Sequence, residues 1–360
     1  MKKIIFYLLL TITGVSTLGI ASASTVNIEN QLQGREQNFE QFVQQTLEPF
    51  WHQNAFTSFF INSQNLEIHY AYVLAENAKA SIVISPGRVE GYLKYKELIF
   101  DFVEQGYSVF VIDHQGQGLS SRRLENKHKG YVESFDDYVS DLHQFIEQVV
   151  VKHEQGERFL VSHSMGGAIG LRYIQMYPAF FSKAVFSSPM WALDSGPLPK
   201  TLAKGLVSSI AWAHGLVSED SPYFVGGKNY QPTEFNKNVL THSKVRYQYF
   251  RSEYEKQPQL QLGGVTIDWI DQSVKSLDIA YEQLDKVKND VMVLQAGFDK
   301  VIDNQGQDLF CERLKELGNP CLSGGPIVID NAEHELFIEH DQIRTQVLAK
   351  LLMFLSSDES

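Results

Sequence analysis

Ser164 stands in the run Val161-Ser162-His163-Ser164-Met165-Gly166-Gly167, with a short apolar strand pattern before it and a helical pattern after it. A serine hydroxyl is a weak nucleophile until a base takes its proton, and a tight strand-to-helix turn holds it clear so that base and substrate can reach it. Such a turn crowds its own backbone, so the residues two before and two after the serine must be small. Ser162 and Gly166 meet that need, with serine where glycine is usual. Gly167 and Ala168 let the following helix lie close to a sheet. The pattern points to acyl transfer through a serine nucleophile.

On a strand-turn-helix scaffold of this kind, the acid and the base follow the serine in that chain order. After the apolar run at residues 291–295 comes Ala296-Gly297-Phe298-Asp299, and after the next strand pattern comes Asn331-Ala332-Glu333-His334. His334 is the expected base, and Asp299 the carboxylate that fixes its tautomer and stabilises the imidazolium. Asp303 is the alternative acid, but its place before a helix starting near Asn304 suits an N-cap better. His340 lies at the mouth of a helix and His163 beside the nucleophile; both are read as structural. The tetrahedral intermediate needs two backbone donors, expected from the N–H of Met165 and from the N–H of Arg88 in Ser85-Pro86-Gly87-Arg88. The Arg88 side chain is either a solvated group or a contact for a phosphate. The glycine-rich run at residues 113–120 lacks the spacing of a phosphate cradle and reads as a turn supporting the elbow. No group of histidines and carboxylates has metal spacing, so neither metal nor cofactor is expected.

The elements that must hold these groups alternate. Strand patterns at residues 66–74, 81–85, 108–112, 158–163, 183–188, 291–295 and 326–330 are separated by helical ones at 93–105, 135–153, 164–177 and 304–317, and a last helix covers 341–354. Alternation of this kind predicts an α/β fold with a mainly parallel sheet covered on both faces. An amphipathic lead-in helix is expected around Phe39, Phe42, Val43 and Leu47. The rhythm breaks between residues 190 and 284, a stretch too long for a structureless loop, which predicts a mostly helical cap inserted between core strands. The expected layout is an N-terminal helical extension over 24–64, the core over 65–189 and 285–360, and the cap over 190–284. Trp191, Trp212, Tyr223, Phe224 and Trp269 are candidates to line an acyl slot, with plain cap core the alternative for each.

At 360 residues, 43% hydrophobic and 21% charged, the chain has the balance of a globular protein with a large core. Its formal charge of −12 disfavours nucleic acid and strongly anionic membrane surfaces. Lys2 and Lys3, an apolar run to Ile20 and the triplet Ala21-Ser22-Ala23 form the pattern of a secretory signal peptide over residues 1–23, with an uncleaved anchor as the alternative. Export to the periplasm or beyond is therefore expected, and Cys311 and Cys321 are either bridged there or two separate thiols.

The residues 82–90 and 94–98 resemble the oxyanion-loop region of bacterial lysophospholipases in the monoacylglycerol-lipase-like branch of the α/β-hydrolases. The likeness continues through residues 113–118, Tyr131, Phe135, 137–139, 163–168, 238–243, Gly263-Gly264, 294–304 and 332–335. It implies an α/β-hydrolase fold and hydrolysis of the acyl ester of a lysophospholipid to a fatty acid and a glycerophosphodiester. A monoacylglycerol lipase or carboxylesterase would use the same groups. A hydrolase fold that only binds is the more distant alternative. A lipid-ester substrate also implies peripheral contact with a membrane. The signal peptide and Ser162 depart from the family pattern, and the first of these puts the compartment in doubt.

Overall fold

The computed structural model describes residues 32, 34–193, 200–215, 218 and 220–357. The expected signal peptide lies outside the described residues. A lead-in helix runs unbroken through Phe39–Phe42, Val43–Leu47 and Glu48–Asn54 (α1), and is followed by strands Phe56–Ile61 (β1), Glu67–Val73 (β2) and Ala80–Ser85 (β3). Next come helix Lys96–Glu104 (α2), strand Tyr107–Ile112 (β4), helix Phe135–Phe145 (α3), which continues to His153, and strand Glu157–His163 (β5). Helix Met165–Met176 (α4) and strand Lys183–Ser187 (β6) lead into the insertion. The insertion carries helices Lys200–Gly215 (α5), Lys244–Lys256 (α6) and Ile267–Glu282 (α7). Strand Asp290–Ala296 (β7), helix Gln305–Glu316 (α8), strand Ile327–Ile329 (β8) and helix Asp341–Ser356 (α9) complete the core.

The strands form one sheet in the order β1-β2-β4-β3-β5-β6-β7-β8. β2 is antiparallel to both β1 and β4, while β4, β3, β5, β6, β7 and β8 are mutually parallel. The expected mainly parallel sheet with a helical insertion is therefore the observed one. Strand β1 is an addition, standing where the tail of a helical extension was expected. Its Phe56, Phe59 and Ile61 are exposed, so it lacks the buried apolar run that marks a central strand.

Successive side chains of each strand point to opposite faces, and the core divides accordingly. Ile82, Ile84, Val109, Val161 and Leu294 pack with Leu98, Phe102, Leu348 and Leu351 from α2 and α9. Val83, Phe110, Leu160, Phe186 and Val293 pack with Leu142, Phe145, Ile169 and Phe310 from α3, α4 and α8. The helix ends obey local rules: α3 opens on a capping box of Ser134 and Asp137, and α4 ends at Met176, two residues before Pro178.

The order β4-β3-β5 reverses the direction of winding at β3, which opens a crevice at the carboxyl ends of β3 and β5. Ser85 pairs with Ser162 and Ala296 with Ile329, so the turns after β3, β5, β7 and β8 all emerge on one side of the sheet. Those four turns carry Arg88, Ser164, Asp299 and His334.

Candidate active site

Ser164 sits at φ 52° and ψ −119° between β5 and α4, a conformation that costs a non-glycine residue energy and lifts the side chain off the sheet. The crowding inferred from spacing is visible: a Cβ on Gly166 would lie 2.0 Å from the Ser85 carbonyl oxygen. Ser162 fits despite its side chain because its hydroxyl donates to the Val185 carbonyl at 3.2 Å.

The structure brings three of the expected groups into one chain of hydrogen bonds. His334 Nε2 lies 3.0 Å from Ser164 Oγ, and His334 Nδ1 lies 2.8 Å from Asp299 Oδ2. An ionised Asp299 can only accept, so Nδ1 carries the proton and Nε2 is free to take one from the serine. Burial works to raise the Asp299 carboxyl, but His334 and the amides of Val301 and Ile302 hold it below the usual carboxylate value. Asp303 instead accepts from the Gln305 amide at 3.0 Å, at the start of α8. His340 stands at the N-cap of α9.

The loop after β3 is held from below. Gln117 donates to the carbonyls of Gly87 and Glu90 at 2.7 and 3.0 Å and accepts the Val89 amide at 3.3 Å. Asp113 accepts the Tyr92 and Leu119 amides at 2.6 and 2.8 Å. The glycine-rich turn thus braces the loop after β3, and reaches the elbow only through Ser85, whose hydroxyl lies 2.9 Å from His114 Nε2 and donates to the Gly166 carbonyl at 3.2 Å. Gly118, at φ 57°, is required there, since a Cβ would come within 2.2 Å of Asp113. Gly87 and Val89 have their amides engaged, whereas those of Arg88 and Met165 find no acceptor among the described residues. Met165 N–H is also the first of α4, where the helix dipole favours negative charge.

Ser164 and His334 open into a cavity of about 800 Å³, lined on its apolar side by Met190, Leu240, Phe250, Leu262, Val265 and Trp269. Of the candidate slot aromatics, Trp269 is the one on this wall, with its Nε1 donating to Tyr138 at 3.2 Å. Trp191 is core, packed 3.9 Å from the Phe310 ring, and Trp212 faces outward at 70% exposure. The Arg88 guanidinium also reaches this cavity; it donates to the Gly263 carbonyl at 2.9 Å, and no carboxylate of the described residues pairs with it. Burial lowers its pKa, with the Tyr138 and Tyr254 hydroxyls partly offsetting that.

Sequence reasoning missed the charged residues behind the site. Glu90, Lys94 and Glu335 are all buried there, and His163, read only as structural, joins them. The one available signal was the spacing of Glu90 and Lys94, four residues apart at the start of a helical pattern. Glu90, His163 and Glu335 place ligand-type atoms within 4.8 Å of one another, but the Lys94 ammonium already lies between the two carboxylates.

The Hydrolase_4 family, described as Serine aminopeptidase, S33, matches residues 76–341. Lysophospholipase L2 of Escherichia coli strain K12 is 32% identical over 326 residues, which cover 91% of this chain and 94% of that protein. The probable lysophospholipase L2 of Haemophilus influenzae is 30% identical over 325 residues, covering 89% and 98% respectively. A solved structure of a soluble variant of Saccharomyces cerevisiae monoglyceride lipase, with a substrate analog bound, superposes with a TM-score of 0.61 at 18% identity, covering 84% of this chain and 95% of that one.

Proposed function

The chain belongs to the Hydrolase_4 (Serine aminopeptidase, S33) family, and from that premise we propose that it hydrolyses the acyl ester of a lysophospholipid at Ser164. Ser164 Oγ attacks the acyl carbonyl as its proton passes to His334 Nε2, and Asp299 stabilises the imidazolium. The negative oxygen accepts from the amides of Arg88 and Met165. The intermediate collapses as His334 protonates the departing glycerol oxygen, leaving a fatty acyl ester on Ser164. Water, deprotonated by His334, releases the fatty acid and restores the serine.

The observation that carries the headgroup is Arg88: a guanidinium at the cavity, with no carboxylate partner among the described residues, has donors left for a phosphodiester. The two lysophospholipase relatives support the same substrate class. A monoacylglycerol would fit the apolar wall equally well but would leave Arg88 unused. Rates on lysophosphatidylcholine, lysophosphatidylethanolamine and a monoacylglycerol, for wild type, Ser164→Ala and Arg88→Ala, separate these readings. We expect Ser164→Ala to be inactive. Arg88→Ala should lose roughly 10- to 100-fold in kcat/KM on the phosphorylated substrates, the worth of a charge-assisted hydrogen bond, and little on the neutral one. Equal rates on both classes, untouched by Arg88→Ala, overturn the headgroup assignment.

Export is supported by the leader pattern and by the disulfide that joins Cys311 to Cys321, a bond that persists in oxidising compartments. Among the described residues no helix is long and apolar enough to cross a membrane. We propose that contact with a lipid surface falls on the insertion, where Leu206, Ile210 and Trp212 of α5 are exposed, and on Val225, 90% exposed beside the cavity-lining Gly226.

A further inference from the structure

Four ionisable side chains that take no part in the acyl-transfer steps are buried together behind Ser164 and His334. Lys94 Nζ donates to Glu90 Oε1 and, at 2.6 Å, to Glu335 Oε1. Glu90 Oε2 accepts the Gly87 amide at 2.5 Å and the Tyr95 hydroxyl at 2.6 Å. Gly87 immediately precedes Arg88, and Glu335 immediately follows His334. One ammonium group therefore links the loop that presents the Arg88 amide to the loop that presents the histidine, across 241 positions of sequence.

His163 completes the cluster. Its Nδ1 faces the Ser187 carbonyl oxygen at 3.1 Å, and its Nε2 faces Glu335 Oε2 at 3.3 Å and Glu90 Oε1 at 3.8 Å. With a carbonyl oxygen before Nδ1 and two carboxylates near Nε2, the surroundings favour a doubly protonated ring, the Nε2 contacts being electrostatic rather than hydrogen bonds. Burial opposes that charge and the Lys94 ammonium opposes it too, yet Glu335 and Glu90 outweigh them and raise the histidine's pKa. Two carboxylates then balance two cations. The His163 and His334 rings lie 4.8 Å apart, and Gly87 is packed so tightly that a Cβ would fall 2.8 Å from Glu90 and 2.9 Å from His163.

We propose that Lys94 is a positioning residue, an internal cation that clamps Glu90 and Glu335 so that the oxyanion donor and the histidine base hold a fixed separation. The inference rests on the acyl-transfer reading of Ser164. A buried ion pair contributes little net stability over an apolar replacement, but it defines geometry. A displacement of about 1 Å at a catalytic group can cost on the order of 100-fold in rate.

The test compares wild type, Lys94→Met and Lys94→Arg on 4-nitrophenyl butyrate, a small soluble ester without a phosphate, and in the rate of labelling of Ser164 by a fluorophosphonate. Lys94→Met should lower kcat by about 10- to 100-fold with KM within about twofold of wild type. Labelling should slow in parallel, because the phosphonyl oxygen draws on the same amides. Lys94→Arg, which keeps the cation, should recover a large part of both. If Lys94→Met does not fold, Glu90→Gln/Lys94→Met/Glu335→Gln removes the unpaired charges and carries the same comparison. A folded variant that melts earlier but keeps wild-type kcat and labelling overturns the clamp and leaves the hydrolase intact. Wild type that neither hydrolyses the ester nor labels at Ser164 removes the acyl-transfer reading itself, and the clamp with it.

Discussion

At the scale of single residues, the roles of two nearby carboxylates are separated by what each one faces. Asp299 points its Oδ2 at His334, while Asp303 is occupied with the first turn of α8. Asp299→Asn removes the acceptor that holds the tautomer, so kcat should fall by roughly three to four orders of magnitude, whereas Asp303→Asn should stay within about threefold of wild type. Steady-state kinetics on any cleavable ester checks both, and a large loss in Asp303→Asn alone would exchange their roles. The pH profile belongs to the same scale. Asp299 is held below its ordinary pKa, so it stays ionised below the usual carboxylate value, and its support is lost only as the pH falls through that lowered value. The acid limb of kcat/KM should therefore lie above the pH at which Asp299 is protonated. A limb near pH 4 would point to a carboxylate base instead.

At the scale of elements, α4 and α5 serve different surfaces. The first turn of α4 places the Met165 amide and the helix dipole next to Ser164, where the proposed mechanism needs an oxyanion donor. α5 packs on α7, with Ser208 donating to Asp271 at 2.5 Å, and turns Leu206, Ile210 and Trp212 outward. Burying a large apolar side chain is worth about 1.5 to 3 kcal/mol, so partial insertion of two of them should change membrane affinity by about tenfold or more. Leu206→Ser/Ile210→Ser, a pair at i and i+4 on one face of α5, should weaken binding to phosphatidylcholine vesicles by at least that factor and slow hydrolysis of vesicle-borne substrate. The rate on a monomeric soluble ester should not move. Unchanged vesicle binding, measured by sedimentation, would leave α5 as cap packing without a lipid role.

At the scale of the whole molecule, a buried set of charges holds distant parts of the chain together. Arg35, just ahead of α1, pairs with Glu97 and Asp101 of α2; Arg246 of α6 pairs with Glu97 and Asp341; and Arg344 of α9 pairs with Asp101. Glu97→Ala would strand guanidinium groups in the interior and should cost about 3 to 5 kcal/mol in urea unfolding. Burial works to raise the Glu97 carboxyl, but Arg246, Arg344 and Arg35 hold it well below the usual value. Its contribution is present above the unfolded value of about pH 4.3 and is lost as the pH falls toward the folded one, so wild type should lose stability in acid more steeply than Glu97→Ala. The Cys311–Cys321 bond closes a ten-residue separation, and Cys311→Ser/Cys321→Ser should lower stability by ~3 kcal/mol. Adding a reductant to wild type should reproduce that loss.

The sequence by itself determined the alternation of strands and helices, the elbow at Ser164, and the order in which Asp299 and His334 follow it. These are local properties: periodicity within a strand or helix, small residues around one turn, and a charged or polar residue at the end of an apolar run. Even the preference for Asp299 over Asp303 was local, since a carboxylate at a helix start is read from its neighbours, although the N-cap proves to be Asn304, with Asp303 one residue before it. Tertiary structure alone decided what depended on distant partners. Strand β1 is exposed on its outer residues, and it became part of the sheet through pairing with β2. Trp191 looked like any other aromatic of the insertion until Phe186 and Phe310 enclosed it. The two cysteines were compatible with a bond or with none. Glu90 and Lys94 lie four residues apart, but His163 and Glu335 come from two other segments, and nothing in the spacing shows that all four charges meet. Only the crossing of the chain at β3 and β5 puts them behind the same serine, because a buried charge is tolerated where folding delivers its counter-charge, and that delivery is a long-range event.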